Sequence, residues 1–471
     1  MIPFLPSFNR VFEQTLPYTN IGTSNLVAVN PYKALANLND ASAKEYEDRS
    51  YKDTSLPAAD SPCPLQPHLY DLAAKVYLLM RRRCESQVLI ARSVFFSVCR
   101  SGSAHICARG ITASGKSASV RLFVNQVIRL SARTSQEAKI AGQVKAMGTL
   151  LDAFGNAKTL MNPNASRHSR YLELHFNERG RLSSAKVLAF GLDKSRLNRL
   201  SHEERSFHIF YQFLAGATSQ ERDQFNLEDP SDYGLLASSG CYRLPSGPFS
   251  DDATAMVDLR VCMRTLGFKP KHLSAIFSVL MGILLLGNIQ FSEGDASDVP
   301  AFIANTQVLE QAARHLGVAA EDLSQILTNK TNYVKKELYT VILNAQQSAS
   351  QRDQFMHDLY AILFAFVVET GNHKIAPSST NPPPHTQISV LDIPGFQTCG
   401  PISSGSISLP APAPLISAYG HNGFDEFCFA DEILHSYILR NTFEDHVGYN
   451  KRLTEDGVQL PHVWDRSVDG C

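Results

Sequence analysis

Apolar residues recur along the chain with two periods, and stretches of the two kinds alternate. Short apolar runs at Asn25 to Val29, Gln87 to Ala91, Tyr171 to Phe176 and Ile388 to Leu391, bounded by turn residues or prolines, predict strands. Longer stretches place apolar residues three and four apart. They predict helices over Val120 to Leu130, Lys145 to Phe154, Phe207 to Leu214, Ile276 to Leu286, Thr306 to Leu316 and Phe355 to Val368. Strands alternating with helices predict a three-layer α/β protein whose connections carry the chemistry. Pro377 to Pro384 and Cys399 to Pro414 are rich in proline and serine and predict mobile surface loops.

Two apolar stretches test for a membrane span. Ile276 to Ile289 is interrupted by Ser278, Gly282, Gly287 and Asn288, and Leu359 to Val368 is short, so both read as buried helices. The first residues hold two prolines, an acidic group and no long apolar region, which argues against a secretory signal. At 471 residues the chain exceeds a single core, predicting several subdomains or one large architecture with insertions. Its charge, −1 from 44 basic and 45 acidic residues, gives no reason to expect a nucleic-acid partner. Nine cysteines lack zinc or disulfide spacing and point to a reducing compartment. His105, His168, His202 and His208 are not at metal spacing, and His208 lies in an apolar helical pattern as a core histidine would. Arg81, Arg82 and Arg83 follow an apolar helix ending near Met80, where cations complement the helix dipole.

One motif carries chemistry. Gly110, Ile111, Thr112, Ala113, Ser114, Gly115, Lys116 and Ser117 fit G-x-x-x-x-G-K-[ST]. In such a loop backbone N–H groups face phosphate oxygens, the lysine supplies charge and the terminal hydroxyl ligates Mg²⁺; a surface loop is the alternative. The helix from Val120 adds its N-terminal dipole. A phosphate loop normally leaves a buried strand directly, and Gln87 to Ala91 has that composition, yet Arg92 to Ala108 intervenes. Two explanations stand: 92–108 is an insertion, or Val94 to Val98 is itself the strand.

Seven separated blocks follow one another in the order of a myosin motor head, and together they resemble that family. They are Asn30-Pro31-Tyr32-Lys33, the Gly110 loop, Phe154 to Thr159, Asn162 to Arg167, Phe207 to Gly216, Leu286 to Phe291 and Asp392 to Phe396. Tyr242 to Asp252, Ser50 to Asp53 and Leu266 to Lys271 are most similar to the motor-like N-terminal domain of fungal class V chitin synthases. The resemblance implies a P-loop NTPase-type twisted mixed sheet flanked by helices, incomplete at its C-terminus, with a phosphate loop at 110–117 and switches at 162–170 and 392–397. It implies ATP and Mg²⁺ as cofactors. Ser117 and Ser166 then ligate the metal, Lys116 and Asn162 contact phosphates, and Asn30 to Lys33 border the adenine. Asp392 stands in the outer shell of the metal, and the Gly395 N–H senses the γ-phosphate. Taken singly, Asn162 and Ser166 could cap a turn and Asp392 could be a loop carboxylate.

Departures from the family pattern bear on catalysis. Motor heads close the site with an ion pair between the switch-one arginine, here Arg167, and a switch-two glutamate, but position 397 is Gln397. A neutral contact there is weaker by about 1–2 kcal/mol and lowers the closed population. Ala165 replaces a serine that helps arrange the attacking water, and Ala113 puts a Cβ where left-handed backbone is needed. The expectation is a cytoplasmic, cytoskeleton-associated, actin-linked domain that binds ATP with weak or lost hydrolysis, its full-length relatives being on vesicles or at the plasma membrane. The rival is a nucleotide-independent tethering module for actin or cargo; an active motor is the least favoured.

Overall fold

The protein is described here from a computed structural model, for residues 17–21, 25–28, 30, 35, 37–52, 66–93, 95–97, 105–109, 112–245, 250–293, 301–334, 337–377 and 385–395. Residues 378–384 and 399–414 of the expected loops lie outside these. A five-stranded sheet organises the chain: β1 (Gln87–Ser93), β2 (His105–Arg109), β3 (Ser169–Phe176), β4 (Leu182–Phe190) and β5 (Thr386–Asp392), in the order β2-β1-β5-β3-β4. β1 runs parallel to β2 and to β5, whereas β5 is antiparallel to β3 and β3 to β4, so the sheet is mixed as expected. β3 and β4 are joined by a tight hairpin, which only antiparallel neighbours allow. At its turn Asn177 Oδ1 accepts from the N–H groups of Arg179 and Arg181, both at 3.0 Å, and Gly180 supplies φ +69°.

The interval 92–108 holds regular structure. Arg92 and Ser93 end β1, Phe95–Ser97 pairs with Asn25–Ala28 in a separate three-stranded sheet that includes Tyr18–Ile21, and His105 begins β2. The strand leading straight into the phosphate loop is therefore β2, with β1 as its inner parallel neighbour.

Helices pack on this frame. They are α1 (Leu69–Arg83), α2 (Lys116–Ser131), α3 (Ser135–Gly155), α4 (His208–Gly216), α5 (Asp252–Thr265), α6 (Pro270–Gly287), α7 (Thr306–Leu316) and α8 (Ala345–Ile375). Capping boxes start α3, from Thr134 and Glu137, and α8, from Asn344 and Gln347, satisfying N–H groups that a helix leaves orphaned. Arg81 to Arg83 occupy the last turn of α1, before Cys84 at φ +54°. α1 and α2 contact β5; α3 and α8 contact β4. Buried polar ties fix these dockings: Tyr77 Oη donates to Gly180 O at 2.8 Å, and Asn372 of α8 both donates to Val187 O and accepts from Val187 N. Tyr360 Oη donates to Phe154 O at 2.7 Å while its ring stacks on Phe207 at 4.5 Å. Among the described residues, α6 alone is long and apolar enough to cross a membrane. Its segment Ile276 to Leu286 is largely buried in the core, with Phe277 stacked on Phe213 at 4.8 Å.

Candidate functional site

The site forms where the phosphate loop, the connection from α3 to β3 and the end of β5 converge. Ala113 is held at φ +63° and Gly115 at φ +87°, two left-handed residues separated by Ser114. Glycine takes this conformation freely; an alanine there is strained. Asn30 supports the turn by donating from Nδ2 to Ala113 O at 2.8 Å, and a Cβ on Gly115 would lie 3.5 Å from its own. Lys116 opens α2 with only 8% of its surface exposed and donates to Ser114 Oγ at 3.3 Å. Burial draws its ammonium down to about 8, against the opposing pull of Asp392.

Switch one is a partly buried, hydrogen-bonded turn. Asn162 O accepts from Thr159 N at 2.9 Å, Asn162 Oδ1 accepts from Asn164 N at 3.0 Å, and Asn162 Nδ2 reaches Thr112 Oγ1 at 3.4 Å, joining the switch to the loop. Ala165–Ser166 pairs antiparallel with Asn156–Ala157. Arg167, 4% exposed, donates its backbone N–H to Gly155 O at 2.8 Å and Nε–H to Ser166 O at 3.0 Å. Its guanidinium lies 3.9 Å from Asp193 Oδ2, and burial, with Arg196 nearby, pulls its pKa to about 10. His168 is buried against Phe364 with Nδ1 3.1 Å from Gly155 O, and burial lowers its pKa to about 4. The core reading of His208 holds: its Nε2 lies 3.2 Å from Asn164 Oδ1 and burial lowers it to about 3.

Switch two enters through register. Asp392, the last residue of β5, sits directly opposite Arg170 of β3, and Arg170 Nη2 donates to Asp392 Oδ2 at 3.2 Å. The other oxygen, Oδ1, is buried without a protein partner. Behind them Arg121 of α2 pairs with Asp152 of α3 at 2.8 Å, and burial raises the Asp152 carboxyl. Ser117, Ser166 and Asp392, remote in sequence, line one small cavity with Asp152, His168 and Arg170. Gly395 lies just beyond, partly buried. Asn30, Thr112, Ala113, Ser114, Gly115, Lys116 and Asn162 gather around the loop, whereas the Arg167 guanidinium lies by Asp193. Pro31, Tyr32, Lys33, Gly110, Ile111 and Gln397 lie outside the described residues.

Sequence reasoning gave no site role of their own to Asp152, His168 or Arg170. The missing signal was strand register, since only the β5–β3 pairing places Arg170 against Asp392.

Residues 4–401 match the sequence pattern of the myosin head (motor domain) family. The chain belongs to the myosin head family. Among its relatives are chitin synthase 8 of Mycosarcoma maydis, 33% identical over 92% of this chain, and chitin synthase 5 of Cryptococcus neoformans var. grubii, 34% identical over 80%. Unconventional myosin heavy chain 6 of Caenorhabditis elegans is 28% identical over 96% of the chain. The aligned regions cover 20%, 18% and 19% of these proteins, so this myosin-head chain spans about a fifth of each relative's length.

The family binds nucleotide with Mg²⁺ in general, and the donors present suit that pair. Two hydroxyls and a carboxylate with an unpartnered buried oxygen are hard oxygen groups of the kind Mg²⁺ prefers. The left-handed residues lead into the N-terminus of α2 beside a buried lysine, as phosphate binding requires.

Proposed function

We propose that this myosin-head chain binds Mg·ATP and turns it over weakly or not at all, as a cytoplasmic, cytoskeleton-associated domain related to a chitin synthase. The observation that carries the reading is the convergence of Ser117, Ser166 and Asp392 on one cavity beside Lys116. In this reading the backbone N–H groups of the Gly115 turn and the Lys116 ammonium hold the terminal phosphates. The Ser117 and Ser166 hydroxyls hold the metal, Arg170 keeps the Asp392 carboxylate in place behind it, and Gly395 N–H reports the γ-phosphate. Bound Mg²⁺ supplies neutralisation of charge on the phosphate oxygens. The chain's catalytic shortfall lies in Ala165 and Gln397. Ala165 has no hydroxyl to orient water, and Gln397 brings no carboxylate to pair with Arg167.

Calorimetry with Mg·ATP is the direct test: saturable uptake is expected, and a folded chain that takes up none overturns the reading. Uptake should weaken as pH rises past about 8, because Lys116 must then regain a proton to meet the phosphates. Gln397→Glu combined with Ala165→Ser should raise steady-state hydrolysis, and an unchanged rate removes the account of weak turnover. Actin cosedimentation released by ATP supports nucleotide coupling; ATP-insensitive cosedimentation supports the tethering module.

A further inference from the structure

A second cavity, of about 270 Å³, lies between α2 and α3 over the β3–β4 hairpin. It shares only Asp152 and Arg170 with the cavity of Ser117, Ser166 and Asp392. Val120 and Val124 wall it on one side, Val144 and Leu151 on the other, and Leu172 and Val187 form its floor; all six are buried. Gly148 of α3 leaves the wall open, since a Cβ built on it meets nothing nearer than Arg170 Nη1 at 3.9 Å.

The rim is polar, with one carboxylate, Asp152, among three cations, Arg121, Lys145 and Arg170. Arg121 and Asn125 stand one turn apart on α2, and Lys145 and Thr149 one turn apart on α3. Asp152 neutralises Arg121, and Asp392 neutralises Arg170. Lys145 is exposed and makes no ion pair among the described residues, so the mouth carries positive charge above an apolar interior. Such a slot suits an apolar body with an anionic head: the valines and leucines remove the body from water while Lys145 meets the head. At ~30 Å³ per liquid water the space equals about nine waters, enough for a tail of roughly eight carbons.

We propose that this slot is a binding site for a medium-chain carboxylate, its tail between α2 and α3 and its head at Lys145. The test titrates the whole chain, free of nucleotide, with octanoate and with octanol in a calorimeter, so a failure to bind Mg·ATP leaves it untouched. Saturable one-to-one octanoate binding, at least tenfold tighter than octanol, is expected. Lys145→Glu should weaken it at least tenfold without touching the core, and Gly148→Leu should abolish it by filling the open wall. Equal, non-saturating uptake of both compounds overturns the proposal. So does undiminished octanoate binding by Lys145→Glu, or by a Gly148→Leu variant that melts like the parent.

Discussion

The two sides of the nucleotide edge are built differently. On the switch-one side polar groups are tied to protein by hydrogen bonds, Thr159 to Asn162, Arg167 to Gly155 and Ser166, and Arg205, fully buried, to Asp252 at 2.9 and 3.0 Å. Arg205 Nε and Nη1, Ser206 Oγ and His208 Nδ1 nevertheless stay buried without a hydrogen-bond partner among the described residues. On the loop side the chain arrives from β2, an edge strand, and turns through Ala113 at φ +63°. A buried bonded pair resists change at both partners; a strained turn waits for an outside partner to repay its distortion. The comparison teaches that the switch is held by the fold, whereas the loop is held in part by what it binds.

The largest test of this contrast removes Arg205. Its guanidinium also stacks on Tyr211 at 3.8 Å from the ring centre, so Arg205→Ala should cost about 3 kcal/mol in denaturant unfolding, leaving Asp252 partly buried and unpaired. A loss below 1 kcal/mol would show that the switch side is no firmer than the loop. Acid probes the same side. His168 and His208, with folded values of about 4 and 3, stay neutral in the fold but protonate when unfolded, near 6.5. Unfolded chain thus binds more protons below pH 6.5, and stability falls as pH drops from there toward 4, by about 2 kcal/mol per histidine at pH 5. His168→Phe, which keeps a ring against Phe364, should flatten the stability profile by one histidine's share; an unchanged slope would refute its neutral burial. The loop supplies the smallest effect. Ala113→Gly should stabilise the free chain by about 1 kcal/mol, read as a rise in melting temperature that narrows when Mg·ATP is present. A fall in melting temperature would mean that the turn is not strained.

Much of this contrast was legible in the sequence where local rules decide. β1, β3 and β5 fall on the expected apolar runs, and the six expected helices fall on α2, α3, α4, α6, α7 and α8, because period and burial agree there. The left-handed Ala113 was legible from the glycine it replaces. β4 was not: Leu182–Phe190 mixes serines and a lysine into its alternation, and its polar face emerges only once the hairpin is known. α5 is similarly hidden, since few of its residues are buried and Val257 and Val261 face solvent. Within the site, Ser117 was legible from the loop motif, and Ser166 and Asp392 through the resemblance to a motor head. Arg170 and Asp152 act only through neighbours remote in the chain, and a single sequence does not state its own register. Asn25–Ala28 forms a strand as expected, but its partners, Tyr18–Ile21 and Phe95–Ser97, keep it out of the main sheet.

β5 is hydrogen-bonded on one flank to a parallel strand and on the other to an antiparallel one, with Asp392 at its end. Sliding that strand while keeping the same side chains on each face means moving two residues, ~6.6 Å, and breaking both ladders at once. Any adjustment that brings the carboxylate toward or away from the serines must therefore come from a change in sheet twist, felt along its whole width, rather than from a local stroke of one strand.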